Sequence, residues 1–97
     1  MRLLKMFIGY LKLNIFIPHC RSLKDKRQVV KRVKERVRNN FNVSVAEQPS
    51  DKWQACELSF TCVNYTRNHV DGMIDRIEQY IRGFYDINIV ESEKEVL

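Results

Sequence analysis

From Met6 to Ile17 the chain alternates in polarity without interruption: Phe7, Gly9, Leu11, Leu13, Ile15 and Ile17 fall on one side of an extended backbone, Ile8, Tyr10, Lys12, Asn14 and Phe16 on the other. This predicts a long strand whose odd-numbered, more apolar side faces a core. Pro18 ends it, and Ser22-Leu23-Lys24-Asp25 has the S-x-x-D form of a helix start, so a helix is expected from Leu23. Leu23, Val30, Val33, Val37 and Phe41 recur at helical spacing as its buried stripe, and Asn39-Asn40 is a plausible stop. Asn42 to Gln48 and Trp53 to Asn64 alternate on either side of Pro49-Ser50-Asp51, which predicts a β-hairpin. Cys56, Leu58, Phe60 and Cys62 share the inward side of its second strand; Ala55, Glu57, Ser59, Thr61 and Val63 share a mixed, partly solvated one.

A second amphipathic helix is expected over Asn68 to Arg82, with Val70, Ile74, Ile77 and Ile81 inward, Asp71, Asp75 and Glu78 outward, and Gly83 as its C-terminal cap. Tyr85 to Val90 alternates once more as a final strand, and Glu91 to Leu97 reads as an acidic tail that frays or extends it. The order β-α-β-β-α-β is the split βαβ pattern. It predicts an α+β, ferredoxin-like sandwich: one domain over residues 1–97, with a four-stranded antiparallel sheet, two helices on one face and the other face open.

Leu, Ile, Val and Phe supply 30 of the 97 residues, too many for a disordered chain. Lys5, Lys12 and Arg21 cut the N-terminal third into pieces too short to span a bilayer, and Met1 to Lys5 is followed by no uninterrupted apolar run or small-residue cleavage site. A cytoplasmic protein with no membrane partner is therefore expected. Cys20, Cys56 and Cys62 are odd in number and lack CxxC spacing, which favours packed thiols in a reducing compartment. No zinc spacing links the cysteines with His19 and His69, and no glycine-rich phosphate loop is present. His19 and Cys20 are adjacent in an extended segment, with no third group to orient them as base and nucleophile. The expectation is a protein without catalytic residues or cofactors.

Charge is distributed unevenly. The first forty residues hold twelve Lys/Arg and two acids, a net of +10, whereas residues 41–97 hold five and ten, a net of −5. On a helix starting at Leu23, Lys24, Arg27, Lys31, Lys34 and Arg38 fall within a band about 80° wide, beside the apolar stripe. Such a stripe fits the phosphates of a polyanion, and it also fits a solvated face that keeps the protein soluble. Lys24, Lys26 and Arg27 crowd the positive end of the helix dipole next to Ser22, where a bound anion would relieve the conflict. Pairing with Asp25 or with the hairpin acids Glu47, Asp51 or Glu57 would relieve it equally. Tyr10 and Phe16 lie on the open sheet face, but the second hairpin strand offers Glu57, Ser59 and Thr61 where a stacking platform needs aromatics. A homodimer through that face or an edge strand is the expectation for these rings.

Ser22-Leu23-Lys24-Asp25-Lys26-Arg27 at the helix start, with Ser44-Val45-Ala46-Glu47 and Asp51-x-Trp53-Gln54 across the hairpin, resembles the signature of the YlxP-like family of small bacterial proteins. The resemblance runs from about Met6 to the final strand; Pro49 and His19-Cys20 depart from it. It implies a ferredoxin-like fold, a bacterial cytoplasmic protein and an association with translation and ribosome maturation. The resulting expectation is an RNA-binding or ribosome-associated protein that uses Lys24, Arg27, Lys31, Lys34 and Arg38 for phosphate contacts. Its rival is a dimeric ligand-sensing or scaffold domain holding a small anionic metabolite at Ser22, Lys24, Lys26 and Arg27.

Overall fold

The computed structural model describes residues 5–97. The reading of the first residues as no secretory leader falls largely on residues 1–4, outside the described residues. The elements are β1 (Phe7–Phe16), α1 (Leu23–Asn40), β2 (Ser44–Glu47), β3 (Ala55–Asn64), α2 (Arg67–Arg82) and β4 (Asn88–Val96). They form one antiparallel sheet in the order β2-β3-β1-β4. The architecture is the expected α+β ferredoxin-like sandwich.

The side of β1 predicted to face inward does so: Leu11, Leu13, Ile15 and Ile17 are buried against Cys56, Leu58, Phe60 and Cys62 of β3, which pairs with it in register from Phe7–Asn64 to Phe16–Ala55. Val30, Val33 and Val37 of α1 and Val70, Ile74, Ile77 and Ile81 of α2 close this core from above. Fully burying each such side chain contributes about 1.5–3 kcal/mol, so the two apolar stripes suffice to seat both helices. At Gly9 the seat is especially close: a β-carbon there would stand 2.5 Å from Val70 Cγ1 and 2.7 Å from Ile74 Cδ1. Hydrogen at that position is what lets α2 lie on β1.

The helix boundaries follow local chemistry. Ser22 Oγ accepts the Asp25 N–H at 3.0 Å, and the Asp25 carboxylate accepts the Arg21 N–H at 3.2 Å, so the S-x-x-D cap forms from both sides. Gly83 caps α2 with a right-handed φ of −75°, its N–H bonded to the Tyr80 carbonyl.

Three expectations are corrected. The final strand begins at Asn88 and not at Tyr85, and of the two expectations for Glu91 to Leu97 extension is the one that forms: Glu91 to Val96 pair with β1, and the Ile8 and Leu97 backbones bond reciprocally beyond them. A bulge between the Ile15–Ile89 and Asn14–Glu91 pairs admits Val90 as an extra residue, which resets the alternation. Glu91, Glu93 and Glu95 then share the open face, and Ser92, Lys94 and Val96 the helix face, while Tyr85 to Ile87 form the connection before the strand. Second, Glu78 is buried, not outward. Its carboxylate meets Arg82 at 2.6 Å and Lys94 at 2.7 Å, and Lys94 also holds Asp75 at 2.9 Å. Burial pushes the Glu78 carboxyl up, but the hydrogen bonds and charges of Lys94 and Arg82 outweigh it and leave the group below the ordinary carboxylate range. Third, the hairpin strands are shorter than the alternation implied, and Trp53 lies in the connection with half its surface exposed.

Candidate nucleic-acid interface

α1 presents its cations as a ridge. Between Leu23 and Asn40 it carries eight Lys/Arg and two acids, a net of +6. Lys24, Arg27, Lys31 and Arg38 are exposed along the predicted band, and Lys34 is half-buried at its edge. The band borders β2, where Arg27, Lys31, Lys34 and Arg38, with Val30 and the acids Glu35 and Glu47, line a groove of about 370 Å³. Long side chains flanking an apolar stripe produce this arrangement: their methylenes lie along the border with the sheet and their charged ends stay in water.

The helix-start cations Lys24, Lys26 and Arg27 form no ion pair with Asp25 or the hairpin acids among the described residues, and the one ion pair between α1 and the hairpin lies further along the helix. Lys34 Nζ meets Glu47 at 3.3 Å, because residues 45 and 47 of β2 point toward the helices. Lys31 stands 3.9 Å from Glu35, an exposed pair that contributes little. Among the described residues, Lys24, Arg27, Arg36 and Arg38 have no carboxylate within ion-pair distance. Lys26, expected at an exposed anion site, is instead buried, with Nζ donating to the Ser50 carbonyl at 3.1 Å. It ties α1 to the hairpin loop. At the helix start the Asp25 N–H is taken by Ser22 and the Asp25 carboxylate stands beside the Arg21 N–H, so Ser22, Lys24, Lys26 and Arg27 do not converge as one cationic cradle.

The open sheet face has the opposite sign. Glu57, Glu91, Glu93 and Glu95 share it with Lys12, whose pKa the hydrogen bond and charge of Glu93, 3.4 Å away, hold above the ordinary lysine value. Tyr10 is half-buried there, its hydroxyl 3.4 Å from Ser59 Oγ, and Phe16 is partly exposed. Glutamates repel phosphate, so α1 is the face suited to a polyanion.

The three thiols are free and buried. Burial, with Glu47 adding to it, pushes the Cys56 thiol up to about 11, far from the thiolate character a nucleophile needs. Burial likewise raises Cys62. Among the described residues no cluster of three or more His, Cys, Asp or Glu could hold a metal ion, and no helix is long and apolar enough to cross a membrane.

Residues 8–94 match the family model described as a protein of unknown function, DUF503. The chain belongs to that family. A family relative, the uncharacterized protein YlxP of Bacillus subtilis (strain 168), is 35% identical over 81 residues, covering 82% of this chain and 88% of the relative. The resemblance drawn from the helix-start and hairpin motifs therefore holds. Among solved structures, the de novo designed protein Foldit4 superposes with a TM-score of 0.55 at 16% identity, covering 95% of this chain and 96% of that one. That likeness concerns the fold alone.

Proposed function

We propose that this protein is a non-enzymatic RNA-binding protein of the cytoplasm, engaging RNA, free or within the ribosome, through the exposed face of α1. The observation that carries the reading is the row of Lys24, Arg27, Lys31 and Arg38 along one side of α1, the last three lining a groove shared with Glu35 and Glu47, with a net charge of +6 on the helix and no carboxylate within ion-pair distance of Lys24, Arg27 or Arg38 among the described residues. Cations that folding does not pair keep their full attraction for phosphate, and releasing counterions from a nucleic-acid backbone then drives association. Lys and Arg spaced along a helix contact backbone, so recognition is of charge and shape and not of base sequence.

The test is a double charge reversal, Lys31→Glu with Arg38→Glu, read by titrating a fluorescent single-stranded RNA. Affinity falls at least about tenfold for unrelated RNA sequences alike, while the urea midpoint barely moves because both side chains are exposed. Wild-type protein that fails to bind RNA at about 50 mM salt, where such binding is favoured, overturns the reading. Binding of phosphorylated small molecules in that case supports the ligand-sensing rival.

A further inference from the structure

The other flank of α1 holds a second groove, of about 490 Å³, in which Gln28, Arg32 and Arg36 face Phe84, Tyr85 and Asp86 of the α2–β4 connection. Tyr85 is 94% exposed, more than any other large hydrophobic side chain among the described residues. The loop that carries it is anchored: Phe84 and Ile87 are buried on either side, and the Gly83 and Phe84 N–H groups bond back to the last turn of α2 at 3.2 and 3.1 Å. An aromatic ring held in water by a fixed loop adds nothing to the core, and its face is available to a partner.

Beside it the arginines are divided in use. Arg32 is committed to Asp86, the residue after Tyr85, and lies 5.7 Å from the centroid of the Phe84 ring. Arg36 lies 5.6 Å from the same centroid and has no carboxylate partner among the described residues. Phe84 thus orients both guanidiniums from below, and only Arg36 keeps its charge free for a ligand. The Gln28 amide on the rim makes no side-chain hydrogen bond among the described residues, leaving donors and an acceptor for a base edge.

We propose that this groove takes one nucleotide, its base stacked on Tyr85 and its phosphate on Arg36. An exposed ring, a planar cation and an amide are the elements by which proteins capture an unstacked base with its phosphate. The inference rests on the RNA reading for α1 and extends it from backbone charge to a base, so the strand bound would be single. Arg36 lies between the levels of Lys34 and Arg38 on the same helix, so one strand crossing α1 would meet both flanks.

Two probes test it: an oligoadenylate of about eight nucleotides, within the span one small domain covers, and free adenosine monophosphate. Tyr85→Ala should weaken oligoadenylate binding roughly 5- to 100-fold, the range of base–aromatic stacking, and Tyr85→Phe should restore it because the ring is retained. Unfolding midpoints should not change, since the side chain is solvent-exposed. Wild-type binding of the monophosphate but not of the oligomer, abolished by Tyr85→Ala, supports the groove while overturning the RNA reading. Equal affinity of wild type and Tyr85→Ala for both probes overturns the groove and leaves the α1 stripe standing.

Discussion

On α2, Glu78 holds Arg82 and Lys94, and Asp75 holds Lys94 again; on α1, Lys24, Arg27, Arg36 and Arg38 meet no carboxylate among the described residues. Both helices lie on one face of one sheet and bury comparable aliphatic stripes. Their charge content differs, with three cations and three acids on α2 against eight and two on α1. Asp75 and Glu78 of α2 fasten it to β4 through Lys94, whereas its Arg67 and Arg76 meet no carboxylate among the described residues, and the helix sits tightly on Gly9. α1 is fastened by valines, by Lys26 on the Ser50 carbonyl and by two flanking ion pairs; of its remaining cations Lys31 stands near Glu35 and Arg36 lies over the Phe84 ring, while Lys24, Arg27 and Arg38 meet no carboxylate among the described residues. The difference separates residues that build the protein from residues available to a partner.

That separation can be broken from the α2 side first. Gly9→Ala forces a methyl into the space of Val70 and Ile74 and should destabilise by about 1–3 kcal/mol in urea unfolding, with RNA affinity of the folded fraction unchanged. A stable Gly9→Ala protein would mean that α2 is seated loosely. Lys94→Met is the smaller perturbation, removing one of two partners of a buried carboxylate at a cost of about 1–2 kcal/mol near neutral pH. Because the folded-state pKa of Glu78 lies below its ordinary value near 4.5, its contribution is complete above that value and disappears as pH falls through the folded pKa. Losing Lys94 raises that folded pKa, so the acid limb of the stability profile moves to higher pH. The raised pKa of Lys94 acts in the other sense, contributing below about 10.5 and lost as pH climbs through the folded value, and the variant lacks that alkaline decline. Acid and alkaline unfolding profiles that superpose on wild type would show the cluster to be ornamental.

Much of this was legible in the residues. Alternation in β1 and β3 assigned both faces of the central strands correctly, and Ser22 with Asp25 marked the start of α1. β4 was legible only in part: a final strand was expected, but its bounds and its extension past Val90 stayed open, because an edge strand with glutamates outward and Ser92 and Lys94 inward carries no apolar period and the bulge at Val90 breaks what remains. Glu78 misled for a related reason: its partner Lys94 lies on the extension of that strand, whose pairing the residues left open. The basic stripe could be placed by angle alone, yet angle did not reveal that Lys26 turns inward to the hairpin loop, a contact made 24 residues away. The arginine and tyrosine groove was missed because its two walls come from α1 and a connection whose proximity only the fold creates.

The central claim is that the free cations of α1 bind phosphate, and the salt dependence of RNA affinity measures it most directly. With Lys24, Arg27, Lys31 and Arg38 each neutralising one phosphate of a single strand, log affinity should fall against log salt with a slope near −3, about 0.7 counterion being released per contact. A slope of about −3 that flattens toward −1.5 in the Lys31→Glu, Arg38→Glu protein is the predicted result. Affinity independent of salt, or a slope the double variant leaves unchanged, would contradict the account.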